Sequence, residues 1–498
     1  MKKNIFRLLT LTFFASTILY LSCNKSKLEL LPHGPTEASY FATEKDYSKA
    51  VLGIYAKMTD FYWFNNNDPK VGLFFLPGDD ITTNASNEES EVFASLQPSS
   101  GRVSYIYTAI YQMIGRANVV LEKVEGVPVG IYVTPNLKDY HKGEALFLRG
   151  FAYYYLWNYY GTAPLRLKRP VTSADFTPPG TSGTQLLDQA IKDLTEAATL
   201  LPASWDAANR GRVTANSANG LLGKSLVFRA SVTKNVADYT SAMAAFTKIT
   251  GVNLTPNFAD NFSDATENNS ESLFEFQAAK ASGNNYWLDN DFNNTEGDIS
   301  IYWGYYSNHW SLFGKSRFFA TTKLLNAFDA TDPRKSITLD AANRNVNKYV
   351  KGDGSGGDPG SKDNYRILRL ADVKLLNAEA ILQSGGTTTA AIALVNEVRT
   401  RARNMVPAGV FPADYPTSET NKTTIMNWIM NERFIELAGE GQRWLDIKRW
   451  HIQGIITLDN NFFGSNVAVQ FQAPKHLLLP IPNSERDVNP NVSQNTGY

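Results

Sequence analysis

Apolar and polar residues alternate at helical spacing along most of this chain. The pattern is strongest over residues 136–160, where one apolar face is formed by Leu137, Tyr140, Phe147, Phe151, Tyr154 and Tyr155 and a second by Ala145, Leu148, Ala152 and Tyr159. A helix that is apolar on so many sides is expected to be mostly buried. Gly161 and Pro164 follow in the order that ends a helix, so the pattern predicts a buried helix that stops near Tyr160.

Further helices are predicted over roughly residues 43–58, 104–124, 184–200, 214–232, 238–250, 371–383, 389–403 and 423–439. In one of them, the apolar stripe consists of Ala391, Leu394, Val395, Val398 and Ala402. Gly385 and Gly386 separate this helix from the one before it, and two earlier helix pairs repeat the plan without a shared sequence period. The chain is therefore predicted to be mainly α-helical, with a degenerate helical-repeat scaffold.

The helical pattern stops between about residues 252 and 365, where Asn, Asp, Gly and Ser are mixed with aromatic residues. Eleven aromatic residues lie between Tyr286 and Phe319, which is too much apolar surface for a disordered segment. We therefore predict an irregular, loop-rich lobe inserted between the helices. Within it, residues 352–360 have the composition of a flexible loop.

The composition of this lobe is typical of a sugar-binding surface, because flat rings stack on sugar faces and Asn and Asp side chains reach hydroxyls. The predicted ligand-binding residues are Trp287, Tyr302, Trp303 and Trp310. Residues 61–64 form a second candidate wall, followed by Asp79, Asp80 and Asn84, of which we select Asp80 and Asn84 as ligand-binding residues. Any single ring is equally suited to a core, so the prediction rests on the cluster.

The N-terminal residues have the order of an export signal, with Lys2, Lys3 and Arg7 ahead of a weakly polar to apolar run over residues 8–21. At fourteen residues this run is too short to cross a bilayer, which takes about 20. It ends beside Cys23, the only cysteine, in the arrangement that a lipoprotein signal peptidase uses. We predict a signal peptide over residues 1–22 and a lipid on Cys23; the alternative is an ordinary signal peptide with an incidental cysteine.

Charge and cysteine content exclude several classes of function. The 48 basic and 48 acidic residues give no net charge, so no general field attracts nucleic acid. Lipidation of the single cysteine would leave no thiol for a disulfide or for cysteine catalysis. No cofactor or metal site is predicted, although Asp289, Asp291 and Asn293 match the first three ligand positions of a calcium loop whose glycine and closing glutamate are missing. Whether a calcium ion binds there stays open.

Glu432, Glu436 and Glu440 recur every four residues, and carboxylates one turn apart could reach the roughly 5–5.5 Å separation of a retaining glycosidase. The same stretch contains four acids and four bases, so each carboxylate has a plausible charge partner within it. Such pairing lowers the pKa of a carboxyl group and makes it a poor general acid. We interpret the glutamates as structural ion pairs, with a lipid-anchored glycoside hydrolase as the alternative.

Blocks spread over the whole chain resemble the SusD/RagB family of outer-membrane lipoproteins of Bacteroidetes. They are residues 28–32, 41–44, 53–55, 144–149, 160–165, 366–373, 378–380, 398–402, 432–446, 480–482, 489–490 and 494–498. The resemblance implies one mainly α-helical domain over residues 23–498, with tetratricopeptide-like helical repeats at about 40–250 and 366–450. It also implies that the lobe at about 252–365 carries the ligand site and that an extended tail covers about 451–498.

Members of that family capture oligosaccharides or sometimes peptides and act without catalysis as a lid over a SusC-like TonB-dependent outer-membrane transporter. The resemblance therefore implies a lipid-anchored glycan-binding protein of the outer membrane that faces the cell exterior, with a lid for peptides or another non-sugar ligand as the alternative. Ligand residues vary between members, so none is carried over to this chain.

Overall fold

The structure, a computed structural model, describes residues 37–62, 64–65, 68–69, 72–84, 88–278, 318–349 and 363–498. Within these residues, ten helices have eleven residues or more. They are α1 (Glu44–Ala56), α2 (Gly101–Glu125), α3 (Leu137–Tyr160), α4 (Gln185–Leu200), α5 (Ala215–Thr233), α6 (Val236–Phe246), α7 (Leu370–Gln383), α8 (Thr388–Arg403), α9 (Lys422–Glu436) and α10 (Arg443–Gln453).

Shorter elements complete the described part of the chain. Short α-helices span Glu37–Tyr40, Thr59–Tyr62, Gly72–Phe75, Glu89–Val92, Ser173–Phe176, Thr322–Ala327, Arg334–Thr338 and Asn483–Arg486, and 3-10 turns span Ala207–Asn209, Phe258–Phe262, Asp264–Thr266 and Lys475–Leu477. Four strands matter for the site: β1 (Ile81–Thr83), β2 (Ser272–Phe276), β3 (Phe318–Ala320) and β4 (Tyr365–Arg369). Two further strands, Phe64–Asn65 and Asp68–Pro69, pair with each other.

The long helices are stacked in chain order, because each helix from α2 to α9 packs against the one before it. α10 packs against α5, which closes the later repeats onto the earlier ones. The close approach of α5 and α6 requires a glycine: a Cβ on Gly223 would lie 2.2 Å from the ring of Phe246. This arrangement confirms the prediction of a mainly α-helical repeat scaffold.

α3 lies at the centre of the scaffold, as its apolar pattern predicted. Phe147 and Phe151 pack edge-on against Phe274 of β2, at ring centroid distances of 5.0 and 5.6 Å. The helix ends where expected, because Gly161 has a φ of +64° and follows directly after Tyr160. The buried face of α8 is also confirmed for Ala391, Val395, Val398 and Ala402.

The region predicted to lack helices contains short regular elements as well as the strands β2, β3 and β4. Thr322–Ala327 and Arg334–Thr338 are helices of six and five residues. Both are too short to show a helical period in the sequence, which explains why the pattern did not predict them. Among the described residues, no helix is both long enough and apolar enough to cross a membrane.

Candidate functional site

The aromatic residues predicted to bind sugar lie outside the described residues, which omit 279–317. These residues are Trp287, Tyr302, Trp303 and Trp310, and the candidate calcium ligands Asp289, Asp291 and Asn293 lie there too. The side chains of residues 61–64 are likewise not described. The structure does describe the residues that flank this segment, so the candidate site is described from them.

Two antiparallel ribbons contain the strands that flank the undescribed residues 279–317 and 350–362. β1 pairs with β3, and β2 pairs with β4, with Phe276 opposite Tyr365. Residues 279–317 thus connect the end of β2 to the start of β3, and residues 350–362 lead back to the start of β4. We call residues 79–84, 275–278, 318–322, 344–349 and 363–366 the lobe base.

Asp80 directly precedes β1 and is buried, with 2% of its surface exposed. Its carboxylate accepts a hydrogen bond from the backbone N–H of Gly439 at 2.9 Å, and burial raises the pKa of Asp80 to about 6. Its neighbour Asp79 forms ion pairs with Arg443 and Lys323. Sugar binding by Asp80 stays a prediction, and its buried position argues against it, because the carboxylate is not exposed to a ligand.

Asn84 is exposed at the end of β1 and belongs to a polar strip on the lobe base. Its side-chain oxygen accepts from the amide of Asn466 at 3.1 Å, and both terminal nitrogens of Arg344 donate to the oxygen of Asn466 at 3.2 Å. The backbone N–H of Asn466 donates to the hydroxyl of Thr82 at 2.8 Å. The strip presents amide and guanidinium groups of the kind that bind sugar hydroxyls, and Asn84 is the predicted site residue that the structure places at the surface.

A buried carboxyl group, Glu91, lies directly beneath this strip. It accepts from the hydroxyl of Thr82 at 2.5 Å and from the backbone N–H of Thr83 at 2.9 Å. Burial raises the pKa of Glu91 to about 7. β1 is therefore held from below by a group whose charge changes near neutral pH.

The other ribbon, β2 with β4, is edged by side-chain amides. Asn268 and Gln277 donate to each other's amide oxygens at 2.9 and 3.0 Å, and Asn364 accepts from the N–H of Ala278 at 2.7 Å. A cleft of about 570 Å³ lies beside this edge and is lined largely by polar residues. Trp205 also lines the cleft, but the guanidinium of Arg212 lies 4.2 Å from the centre of its ring and covers one face.

Aromatic rings from separate segments pack under the two ribbons. Tyr349 lies 5.8 Å from Tyr365 and 5.3 Å from Phe262, between ring centroids. The hydroxyl of Tyr365 donates to the backbone oxygen of Glu440 at 2.6 Å. Gly441 is required here, because its φ is +67° and a Cβ would lie 2.7 Å from the Tyr365 oxygen. The turn after α9 therefore supports the start of β4.

A buried network of charges lies next to this turn. It joins five acids and five bases, so its formal charges cancel. The acids are Glu271, Asp332, Glu432, Glu436 and Glu440, and the bases are Arg334, Lys348, Arg369, Arg399 and Arg401. All ten side chains are buried, which leaves their charges to be neutralised within the network.

Glu436 is the most connected anion of this network. It accepts from Arg334 at 2.8 Å, from Arg369 at 2.6 Å and also from Arg401. Burial alone would raise its pKa, but the charges of Arg401, Arg369 and Arg334 outweigh burial and hold the pKa of Glu436 well below its usual range. Glu436 is therefore anionic at any physiological pH.

The predicted ion pairing of the three glutamates is confirmed, but the expectation that their partners lie in the same stretch is wrong. Arg334 and Arg399 pair with Glu432, and Lys348 and Arg369 pair with Glu440. The partners come from segments that precede α9 in the chain, and α9 itself ends at Glu436 and not near residue 439. Positive φ at Gly439 and Gly441 turns the chain there, so Glu440 lies in a turn.

The carboxylates of this network have no access to a substrate, since Glu432, Glu436 and Glu440 are each 1% exposed or less. Among the described residues, no group of three or more His, Asp or Glu side chains could hold a metal ion. The described part of the site thus offers hydrogen-bonding groups on a rigid base. Arg344 and Asn466 were not predicted, because their contact joins segments 122 positions apart in sequence. Glu91 was not predicted either, because nothing in the sequence shows that its carboxyl group is buried against Thr82 and Thr83.

Comparison with known proteins gives the family. The sequence model of the SusD family matches residues 238–498, and a second model, described as starch-binding associating with outer membrane, matches residues 70–225. A SusD-like protein of Formosa agariphila is 27% identical, with 98% of this chain and 99% of the relative covered.

Solved structures show the same fold. A SusD superfamily protein of Parabacteroides distasonis has a TM-score of 0.76 at 19% identity and covers 91% of this chain and 99% of its own. A laminarin-binding SusD-like protein has a TM-score of 0.73 at 23% identity, and the match covers 92% of this chain and 100% of the laminarin-binding protein. Because the family model matches more than half of the residues, and its match contains the lobe, the charge network and the C-terminal tail, the chain belongs to the SusD family.

Proposed function

We propose that the protein is a lipid-anchored glycan-binding protein of the outer membrane that captures oligosaccharides and delivers them, without catalysis, to a SusC-like TonB-dependent transporter. The observation that carries the proposal is the match of the SusD family model over residues 238–498. That match includes the aromatic-rich segment of the sequence and every part of the lobe base except residues 79–84.

A glycan is the favoured ligand for two reasons. One matching family model is described as starch-binding, and one protein of the same fold is named as laminarin-binding. The lobe also combines Trp287, Trp303 and Trp310 with many amide side chains, and stacking rings with amide groups suit sugars. Asn84 with Asn466 and Arg344 extends this chemistry onto the described surface.

Binding without catalysis is supported by the charge network. The glutamates that suggested a glycosidase are buried and engaged by arginine and lysine side chains. A general acid needs a raised pKa and contact with the leaving group, whereas the pKa of Glu436 is lowered. We therefore propose that these carboxylates stabilise the lobe base.

Anchoring through Cys23 is compatible with the position of the first described residues. Glu37 forms ion pairs with Lys123 and Arg169, each at 2.7 Å, which fixes the start of the fold beside α2. Fourteen positions separate Cys23 from Glu37, and such a segment spans at most about 50 Å when extended. The fold would therefore stay close to the membrane that holds its lipid.

Affinity electrophoresis tests the binding proposal. The mature chain is run in native gels that contain laminarin, starch or an unrelated charged polysaccharide, beside Trp287→Ala and Trp303→Ala. We expect retardation by at least one glycan and an affinity about fivefold to thirtyfold weaker in each variant, since a lost stacking contact costs about 1–2 kcal/mol. Phe176→Ala is the matched control, because this ring is 58% exposed and lies outside the lobe.

Two further outcomes separate the alternatives. If no glycan of a broad panel retards the protein, glycan binding is rejected and a peptide or other non-sugar ligand is favoured. If the pure protein releases reducing ends from a glycan, it is a glycoside hydrolase and the proposal of binding without catalysis is rejected. For the transporter, we expect the native lipoprotein to be purified from membranes together with a large β-barrel protein. Recovery without such a partner would count against delivery.

A further inference from the structure

A cavity separate from the lobe base lies at the C-terminal end of α3. Its volume is about 500 Å³, within the range of small-molecule sites. It is formed where the C-terminal ends of α3 and α5 meet α10 and the C-terminal tail. Its apolar wall includes Trp157, Val232, Ile452, Leu477 and Leu478.

The C-terminal tail that closes this cavity is firmly attached to α3. The side-chain amide of Asn495 donates to the backbone oxygens of Tyr160 at 2.9 Å and Leu479 at 2.6 Å. The backbone N–H of Leu479 donates to the oxygen of Tyr159 at 2.6 Å, which holds the tail along the last turn of α3. A Cβ on Gly161 would lie 2.5 Å from Leu478, so the tail packs directly on the end of the helix. The cavity is therefore preformed by fixed elements.

One buried lysine of this cavity has no carboxylate partner within the described part of the chain. Four lysines are buried among the described residues, and three of them pair with a carboxylate: Lys57 with Asp60, Lys224 with Asp372 and Lys348 with Glu440. The fourth, Lys448, is 5% exposed and donates to a single acceptor among those residues, the backbone oxygen of Asn158. Lys448 and Asn158 both line the cavity.

An ammonium group has three N–H donors, so Lys448 keeps two for another partner. A buried cation without an anion is unfavourable, and burial accordingly lowers the pKa of Lys448 to about 7. The two other charged residues that line the cavity are also cations. Arg449 is already engaged by Glu379 and Asp446, and Lys475 lies at the rim.

The described residues that line the cavity thus include three cations and no carboxylate. We propose that this cavity binds a small organic carboxylate, with its head group at the Nζ of Lys448 and its apolar body against Val232, Ile452 and Leu477. The cations that line the cavity favour an anionic head group on the ligand, and the apolar wall favours an apolar body. This site is separate from the lobe base, so it does not depend on the proposed glycan function.

Calorimetric titration of the mature chain with octanoate and with 1-octanol tests the proposal. The two probes share an eight-carbon body and differ in charge. We expect wild type to bind octanoate at least about tenfold more tightly than octanol, and Lys448→Met to lose at least about tenfold of the octanoate affinity while octanol binding stays within about twofold. Lys475→Met, at the rim of the same cavity, should change neither affinity by more than about twofold.

A second pair of variants keeps the test valid if Lys448→Met fails to fold. Ile452 lies one helical turn from Lys448 on α10 and is 40% exposed, so a polar residue is tolerated there. Ile452→Glu would place a carboxylate beside the ammonium and should weaken octanoate binding at least about tenfold more than Ile452→Gln does. Any of three results would overturn the proposal. They are equal affinities of wild type for octanoate and octanol, no saturable binding of octanoate, and equal loss of octanoate affinity in the Glu and Gln variants.

Discussion

Replacing Glu436 with glutamine tests whether the buried network depends on its charge balance. The change keeps the size of the side chain but removes one of five anions that face five cations. Arg334, Arg369 and Arg401 would lose a shared negative charge, and the new amide would direct N–H donors at their N–H groups. We expect a folded variant with clearly lower stability.

The size of the expected loss of stability follows from the burial of Glu436. Removing one partner of a buried ion pair costs about 3–5 kcal/mol. An unfolding entropy of about 2.1 cal/mol/K per residue gives about 1 kcal/mol/K for the roughly 460 residues from Glu37 onward, so Tm should fall by about 3–5 °C.

The same substitution changes the dependence of stability on pH. Burial raises the pKa of Glu436, but the arginine charges outweigh it and keep the folded-state pKa far below the ordinary value of 4.5. The charge of Glu436 therefore stabilises the fold above pH 4.5, and this contribution declines as pH falls further, because the unfolded chain then takes up a proton that the folded chain does not. The difference in Tm between wild type and variant should narrow in acid.

Thermal unfolding followed by circular dichroism at about pH 7 and about pH 3.5 measures both effects. Glu397→Gln is the control, because its pair with Lys374 is exposed and such pairs contribute at most about 1 kcal/mol. Combining Glu436→Gln with Arg401→Met leaves four anions and four cations, so the double variant should be less destabilised than the sum of the single changes. An unchanged Tm in Glu436→Gln, or strict additivity in the double variant, would refute the reasoning.

Two further predictions concern Glu91 and Cys23. Because the folded-state pKa of Glu91 is about 7 and its ordinary value is 4.5, wild-type stability should fall between these values as pH rises, by up to about 3 kcal/mol. Glu91→Gln should remove this fall, and an identical pH profile of Tm in both proteins would contradict it. Cys23→Ser should abolish labelling by a radioactive fatty acid and move the protein out of the membrane fraction; a labelled serine variant would reject the anchor.

The helices could be predicted from the sequence because their signal is local. The pattern over residues 136–160 corresponds to α3, and Gly161 marked its end, since helical periodicity and glycine conformation depend on neighbours in the chain. The strands of the lobe base could not be predicted in the same way. β2 pairs with β4 about ninety residues later, and such pairing leaves no periodic mark in strands this short.

The partners of the charged residues could not be predicted from the sequence either. Four acids and four bases in one stretch correctly indicated ion pairs, but composition could not identify Arg334, Arg369 and Arg401 as the partners of Glu436. Asp80 was selected because it follows an aromatic run, and its burial depends on Gly439, which comes 359 positions later. Asn466 had no distinguishing neighbours in the sequence, and Lys448 was one base of the charged stretch, so only the fold reveals that Lys448 lacks a carboxylate partner among the described residues.

Hydrogen bonds of β1 and of the residue before it also determine when the lobe base can be completed. Asp80 depends on Gly439 and Thr82 on Asn466, separations of 359 and 384 positions. Contacts this distant form late, because the intervening chain must be ordered first. A nascent chain that ends before Gly439 contains the early helix pairs yet has no partner for Asp80. The lobe base can therefore be completed only when nearly the whole chain is available, and a chain truncated before Gly439 would lack two of the contacts that hold it.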